Sequence, residues 1–331
     1  MNKNMSLRPI GLSLVALIWA VAAQAAPPKD PPTKCALDAV LVGAGCMDTY
    51  EASVWRIPDP FGANKGLVKN VKKGKAEMQD LIDGGATQLG TASDNYAPCT
   101  DNGQNCANDI FAVSLPAVTP ARYITWFQAQ EACTNSAKRL PSNAEWQAAA
   151  NGTPDPGGDN GTTDCNTAST FTVAATGSRS LCLSSRGAYD MVGNLFEWVA
   201  DWAPLSTACP GWGAFSNDYQ CFAGADTTTT GGPGALLRGG DFAGGTGAGP
   251  LAVDGGDQPS GASASASVAR ASHFTLAILR YASDSGRYSG QVRPFAVWGS
   301  AGGRASFCPS GGGARDVTRA ARTRCGAGPQ G

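Results

Sequence analysis

Two carboxylates lie close together in the run Gly187–Trp202, which reads GAYDMVGNLFEWVADW. Asp190 and Glu197 are separated by apolar and small residues that follow neither a helical nor a strand period. We therefore predict a buried loop in which the carboxylates turn inward and Trp198 and Trp202 seal the outside. Such a pair could act as acid and base. A buried carboxylate also needs a partner, and a hard cation held by oxygen atoms is a suitable one.

Cysteines are the second residue type that could form a functional or stabilising site, and the chain has 11 of them. Proximity of the cysteines along the sequence predicts local disulfides and leaves Cys133 unpaired, although sequence does not determine connectivity. A zinc site is the alternative, but there is no C-x-x-C motif and His273 is the only histidine. The predicted pairs are Cys35–Cys46, Cys99–Cys106, Cys165–Cys182, Cys209–Cys221 and Cys308–Cys325.

The N-terminus has the three parts of a secretory signal peptide, which we assign to residues 1–25. Lys3 and Arg8 precede the apolar stretch Ile10–Ala23, and Ala23-Gln24-Ala25 is a small-x-small cleavage site. A membrane anchor is the alternative, but the stretch is short for a span and no second one follows. We predict export to the periplasm, the cell surface or the medium, with no transmembrane segment after cleavage and with the cysteines in an oxidising compartment.

The charge balance, 25 basic against 26 acidic residues, gives no reason to propose nucleic acid as a partner. A Pro-rich spacer at residues 26–33 is too stiff and polar to join a core. Strands are predicted at 41–42, 46–53, 235–238 and 251–253. The basic stretch Lys65–Lys75 is predicted to be a solvated loop.

Two helices are predicted in the middle of the chain. Thr125 is a candidate N-cap for a helix that places Trp126, Ala129, Cys133 and Ala137 on one face. A capping box runs from Ser142 to Glu145, because the hydroxyl and the carboxylate can each satisfy a free backbone N–H. This second helix is predicted to pass through Trp146 and to stop at Gly152.

Four ordered segments resemble the formylglycine-generating enzymes, also called sulfatase-modifying factors. They are CMDTYEAS at 46–53, ITWFQAQEAC at 124–133, KRLPSNAEWQAAA at 138–150, and the run 187–202 followed by LLRGG at 236–240. The resemblance implies an α+β, C-type-lectin-like domain at residues 34–283, loop-rich and stapled by disulfides. The Gly/Ala/Arg-rich residues 284–331 would be a poorly packed tail, or the product of an altered reading frame.

The same resemblance implies a structural calcium ion inside the run 187–202. Its ligands would be the side chains of Asp190 and Glu197 and the backbone carbonyls of Gly193 and Leu195. Carboxylates and neutral oxygens together suit the six-to-eight-oxygen shell of Ca²⁺. The alternative is that Asp190 caps a turn and that Glu197 accepts backbone N–H groups.

The family's oxidase chemistry needs a cysteine pair that binds copper and oxidises a sulfatase cysteine to formylglycine. Here the two positions are Gly244 and Gly249, and no cysteine occurs between Cys221 and Cys308. Glycine has no thiolate to offer copper. We therefore expect no copper and no catalytic residue, with a copper-dependent oxidase as the alternative function.

A non-catalytic branch, the variable proteins of diversity-generating retroelements, resembles the chain more closely. In them a variable region follows LRGG, and its changeable codons derive from Asn codons by adenine substitution. One change in such a codon yields Asp, Ser, Thr or His, and two changes yield Gly or Ala. We predict a ligand-binding surface for a protein or glycan at the ten positions Asp241, Ala243, Gly244, Gly247, Asp254, Gly256, Asp257, Gly261, Ser263 and Ser265.

The residues between these positions are predicted to form a fixed scaffold: Ala248-Gly249, Leu251-Ala252-Val253 and Pro259-Ser260. The ten positions lack Tyr and Trp, the usual anchors of an interface, so binding is expected to be weak or close to the backbone. Two alternatives remain, a Gly/Ala/Ser-rich loop from a high-GC genome and a structural envelope protein. The family's closing apolar-Gly-Phe-Arg strand has only a partial match, at 267–270.

Overall fold

The structure is a computed structural model and describes residues 34–224, 231–262, 266–267 and 271–273. These residues all belong to one compact unit, Met1–Ile278, and a second unit spans Leu279–Gly331. The predicted signal peptide, spacer and tail lie outside the described residues, as do the Cys308–Cys325 pair and the positions Ser263 and Ser265. Within the described residues, no helix combines the length and the apolar character needed to cross a bilayer.

Short strands and helices alternate with long loops along the described chain. The elements are β1 (Ala39–Val42), β2 (Gly45–Asp48), β3 (Ala52–Arg56), α1 (Lys65–Val71), α2 (Met78–Asp83), β4 (Thr87–Leu89), β5 (Ile110–Ser114), α3 (Trp126–Asn135), β6 (Lys138–Arg139), α4 (Asn143–Ala150), β7 (Phe196–Pro204), β8 (Gln220–Cys221), β9 (Pro233–Arg238), β10 (Val253–Asp257), β11 (Ala266–Ser267) and β12 (Ser272–His273).

The strands form three sheets. One has the order β1-β2-β12-β6, and a second, three-stranded sheet has the order β4-β3-β5. The third, β11-β7-β9-β10-β8, is mixed, because β7 and β9 are antiparallel while β11 and β8 pair in parallel at its edges. This five-stranded sheet carries Glu197 of the predicted metal site on β7 and the predicted ligand-binding positions Asp254, Gly256 and Asp257 on β10.

Both predicted helix starts are confirmed. The Thr125 hydroxyl accepts the backbone N–H of Gln128, and the Ser142 hydroxyl accepts that of Glu145 at 3.2 Å, each within a complete capping box. Helix α3 ends at Asn135, so the prediction that Ala137 lies on its buried face was wrong. Ala137 has φ +58° and belongs to the turn that leads into β6.

Three of the strand and loop predictions were wrong in part. Of the predicted strand 251–253, only Val253 lies in a strand, β10, which continues to Asp257. The predicted strand 46–53 is two strands, β2 and β3, which belong to different sheets. Residues 65–71, predicted as a solvated loop, form helix α1. The lysines of α1 are exposed, but Val68 and Val71 are buried against Leu81. Burial of this apolar face stabilises a helix that charge content alone did not predict.

Disulfides were predicted correctly wherever the chain is described. Cys35–Cys46, Cys99–Cys106, Cys165–Cys182 and Cys209–Cys221 are bonded. Cys133 is the free cysteine of the described residues, and it is fully buried.

A buried ion triad ties the start of the domain to strand β6. The Lys138 ammonium lies 2.8 Å from Asp38 and 2.7 Å from Asp48, and the lysine is fully buried. Burial lowers the pKa of Lys138, but the two carboxylates outweigh it and hold that pKa above its usual value. The lysine is therefore charged, and its charge is balanced inside the core.

Candidate functional site

The run 187–202 is a loop only in its first half. Residues 190–195 form the predicted loop, and β7 starts at Phe196, so Glu197, Trp198 and Trp202 lie on a strand. Trp198 is 1% exposed and belongs to the core rather than to an outer seal, while Trp202 is 44% exposed. A register shift between β7 and β9 lies between the two tryptophans.

The loop needs left-handed backbone at three positions. Asp190, Gly193 and Asn194 have φ values of +55°, +71° and +58°. Asp and Asn tolerate this region better than other side chains, and a Cβ on Gly193 would overlap the carbonyl of Asn166. The loop contacts the LLRGG segment, because Gly193 N–H donates to the Gly239 carbonyl at 3.0 Å. The two parts of the fourth segment are thus neighbours in space.

Both predicted metal-binding carboxylates are buried, Asp190 at 3% and Glu197 at 1% exposure. Oδ2 of Asp190 accepts the backbone N–H of Gly177 at 2.7 Å, and Oε2 of Glu197 accepts the indole N–H of Trp146 at 2.7 Å. A third carboxylate, Glu51, is fully buried and accepts the backbone N–H of Leu195 at 3.2 Å. The sequence reasoning did not single out Glu51, although it lies within the segment CMDTYEAS.

The donor set fits calcium by its chemistry. Each predicted carboxylate accepts one N–H group, and the carbonyls of Gly193 and Leu195 would add neutral oxygens to the set. No cluster of three or more Asp, Glu, His or Cys side chains suited to a metal occurs among the described residues. The predicted set has only two such side chains, so this result leaves the calcium prediction untouched. The backbone contact of Asp190 also agrees with the turn-capping alternative.

The predicted ligand-binding positions share one property. None of the eight that the structure describes is buried, whereas five of the seven scaffold residues between them are buried. Asp241, Gly247, Asp254, Asp257 and Gly261 are half-buried, and Ala243, Gly244 and Gly256 are exposed. The buried scaffold residues are Ala248, Gly249, Ala252, Val253 and Pro259.

An aromatic residue that sequence reasoning missed lies among these positions. Tyr219 is 42% exposed, and it donates its backbone N–H to the Gly247 carbonyl at 2.7 Å. Burial and the carboxylates of Asp254, Asp257 and Asp241 raise the pKa of Tyr219. Burial likewise raises the pKa of Asp254 and of Asp257. Tyr219 and the three acidic positions therefore share one surface, which we call the Tyr219 face.

The two glycines at the family's cysteine positions lie at the edge of this face. A Cβ on Gly249 would overlap the carboxylate of Asp218, which is 3% exposed. Oδ2 of Asp218 accepts the backbone N–H of Leu251 at 2.6 Å. At Gly244, an added Cβ would meet the Cβ of Ala248 at 3.1 Å. A carboxylate therefore fills the space beside Gly249.

Comparison with known proteins gives one family match and several partial similarities. Residues 99–268 match the family described as sulfatase-modifying factor enzyme 1-like domain. Over 87 residues the chain is 38% identical to the serine/threonine-protein kinase Pkn1 of Chlamydia trachomatis serovar L2 and 36% identical to Pkn1 of Chlamydia pneumoniae. Each alignment covers 25% of this chain and 14% of the kinase.

Among solved structures, the I1 and U1 variants of the Major Tropism Determinant superpose with TM-scores of 0.40 and 0.39 and 20% identity. These alignments cover 72% of this chain and 52% of each variant, so the chain spans about half the length of these relatives. The family match and the mixture of small sheets, helices and disulfide-bonded loops confirm the predicted fold class.

Proposed function

Because this chain belongs to the sulfatase-modifying factor enzyme 1-like family, we propose that it is an exported recognition protein that keeps the family fold without the oxidase chemistry. Its ligand, a protein or a glycan, binds the Tyr219 face. The observation that carries this proposal is the separation by burial in residues 241–261: the predicted binding positions reach solvent and most scaffold residues do not.

This separation matters because substitutions at half-buried and exposed positions leave the core intact. Surface changes away from special features usually shift stability by about 0.5 kcal/mol or less. Loops held on a rigid support are common sites of recognition. Tyr219 supplies the aromatic anchor that the ten positions lack, and aromatic side chains dominate the energetics of interfaces.

The oxidase alternative has little support from the residues present. A copper site of this family needs thiolates, and the two positions hold Gly244 and Gly249. Cys133, the free cysteine of the described residues, is buried, and burial raises the pKa of its thiol. A thiol that stays protonated and inaccessible is neither a nucleophile nor a metal ligand.

Calcium is part of the proposal as a structural ion. Asp190 and Glu197 would supply carboxylate oxygens, and Gly193 and Leu195 would supply carbonyl oxygens. The ion would neutralise buried charge and fix the loop that contacts Gly239. Four disulfides among the described residues support export, because such bonds persist in oxidising compartments.

The changeable positions fit the variable protein of a diversity-generating retroelement. Asp, Ser, Gly and Ala are among the residues that adenine substitution produces from Asn codons, and these four occupy all ten positions, including Ser263 and Ser265. Diversification would then alter the ligand without altering the fold.

Two display libraries test the proposed function. In one, the eight described binding positions carry random mixtures of Asp, Asn, Ser, Gly, Ala and Tyr; in the matched control, the five buried scaffold residues carry the same mixtures. We expect the first library to remain folded and to yield binders to surface proteins or glycans. Equal loss of folding in both libraries would contradict the proposal, as would formation of an aldehyde in a Cys-containing sulfatase peptide by the native chain with copper.

A further inference from the structure

A buried carboxylate oxygen beside Gly249 lacks a hydrogen-bond donor in the described part of the chain. Asp218 is 3% exposed, and its Oδ2 accepts the backbone N–H of Leu251 at 2.6 Å. Its Oδ1 is buried as well, but no N–H or O–H group of the described residues donates to it. A buried acceptor without a donor is costly, so a proton placed beside Oδ1 would stabilise this site.

The group next to Asp218 is a second carboxyl. Asp155 lies within hydrogen-bond reach of Asp218, and it reaches solvent at an exposed position. Asp155 belongs to the loop 155–169, which packs near the predicted binding positions, because Gly245 N–H donates to the Thr167 carbonyl at 2.9 Å. The contact between the two carboxyls therefore joins this loop to the segment that carries Tyr219.

Arg238 on β9 decides which carboxyl carries a shared proton. The two carboxyls repel each other, while the guanidinium of Arg238 attracts Asp218. Arg238 is held in place by the carbonyls of Ala252 and Pro250, to which it donates at 2.7 and 3.1 Å. A fixed cation favours the ionised form of the carboxyl beside it, so Asp218 is the acceptor and Asp155 is the donor.

The surroundings of Asp155 favour its protonated form. Burial raises the pKa of Asp155 and the carboxylate of Asp218 raises it further, whereas the backbone N–H of Gly157 lowers it. The pKa of Asp155 is therefore higher in the folded chain than in the unfolded chain, where it is about 3.9. The resulting stability is fully present below the unfolded value and is lost as the pH rises through the folded one.

We propose that Asp155 and Asp218 form an acid-closed latch between the loop 155–169 and the segment that carries Tyr219. When Asp155 is protonated, its O–H donates to Oδ1 of Asp218 and the latch is closed. When Asp155 gives its proton to water, two like charges face each other and the latch opens. Asp218 directly precedes Tyr219, whose backbone N–H donates to the Gly247 carbonyl at 2.7 Å, so opening would loosen the Tyr219 face.

The first test is a ¹³C NMR titration of the Asp155 carboxyl in the mature chain. Asp218→Asn removes the facing charge and offers an amide donor in its place. We expect this substitution to lower the titration midpoint of Asp155 by about one pH unit. Asp164→Asn, which removes a half-buried carboxyl of the same loop, is the matched control and should leave the midpoint unchanged.

The second test is hydrogen exchange of the Gly245 amide, corrected for the intrinsic exchange rate at each pH. In the native chain we expect protection to fall by about tenfold as the pH rises through the midpoint, because one pH unit corresponds to a tenfold change in the closing equilibrium. Asp155→Asn should keep the latch closed at every pH, since its amide NH₂ donates to Asp218 without titrating.

Two results would overturn this proposal. One is a titration midpoint of Asp155 that Asp218→Asn leaves unchanged, and the other is the same pH dependence of Gly245 protection in the native chain and in Asp155→Asn. If Asp218→Asn does not fold, Asp155→Asn still decides, because it changes an exposed position. Neither test uses a ligand, so failure of the latch and failure of the proposed function are distinguishable.

Discussion

The buried carboxylate of Asp218 occupies the space that a side chain at Gly249 would need. In the resemblance to formylglycine-generating enzymes, Gly249 is the position of the second copper-binding cysteine. The chain therefore lacks the thiol and has also packed a different group where that thiol would lie. A cysteine at position 249 would therefore also require a change at Asp218.

Gly249→Ala should destabilise the protein by about 1–3 kcal/mol, because the added methyl overlaps Asp218 in a closely packed site. The measurement is urea unfolding followed by Trp fluorescence. In an Asp218→Ala background the same substitution should cost less than half as much. Gly244→Ala is the control, since its Cβ would come no closer than 3.1 Å to Ala248 or Asp241, and it should cost less than Gly249→Ala. An equal cost in both backgrounds would rule out the overlap.

Removing calcium should lower the melting temperature. With calcium at 100 times its Kd, chelation should remove about 2.7 kcal/mol of stability. Asp190→Asn and Glu197→Gln should abolish this response to chelator, and the latter keeps an acceptor for the Trp146 indole. Asp159→Asn, which removes a different buried carboxylate, should keep the response. A melting temperature that EDTA leaves unchanged in the native chain would eliminate the structural ion.

Replacing Lys138 by Met should cost about 3–5 kcal/mol, because it leaves the carboxylates of Asp38 and Asp48 in the core without their cation. Lys72→Met, at an exposed position, should be close to neutral. Adding Asp38→Asn and Asp48→Asn to Lys138→Met should recover part of the loss. Differential scanning calorimetry gives all three values, and a cost for Lys138→Met like that of Lys72→Met would contradict the buried triad.

Acid should destabilise the protein partly through Asp159. Burial raises the pKa of Asp159, but the backbone N–H groups of Ala168, Ser169, Thr167 and Gly161 outweigh it and lower that pKa to about 2. A carboxyl with an unfolded pKa of about 3.9 then contributes stability that is fully present above about pH 5 and is lost as the pH falls toward 2.

Asp159→Asn should therefore cost about 1–3 kcal/mol at pH 7 and should flatten the loss of stability between about pH 5 and pH 2. Asp83→Asn, at an exposed position, is the matched control for the loss of one carboxyl. Urea midpoints at several pH values measure the effect. If stability falls with pH in Asp159→Asn as steeply as in the native chain, this carboxyl does not cause the acid destabilisation.

Local signals predicted local structure well. The hydroxyls of Thr125 and Ser142 marked two helix starts correctly, and close cysteine spacing gave all four described disulfides. Helix α1 was missed because its stability comes from Val68 and Val71 packing on a distant part of the chain. Tertiary packing of this kind leaves little trace in a basic stretch.

The candidate site was predicted only in part, again because tertiary packing brings distant residues together. The ligand-binding role of residues 241–261 stays a prediction; none of the eight described binding positions is buried, whereas five of the seven scaffold residues are. Tyr219, Glu51 and Asp218 come from other segments, and only the folded chain brings them to the sites described above. The strand character of Glu197 and Trp198 was missed because a register shift in β7 breaks the alternation that identifies a strand.

The central claim is that the ten positions vary while the scaffold does not, and sequencing this locus across many isolates tests it most directly. The account predicts that substitutions concentrate at Asp241, Ala243, Gly244, Gly247, Asp254, Gly256, Asp257, Gly261, Ser263 and Ser265, with a reverse transcriptase gene nearby and with Ala248, Ala252 and Pro259 unchanged. Substitutions spread evenly over residues 241–265, or ten positions that never change, would contradict it.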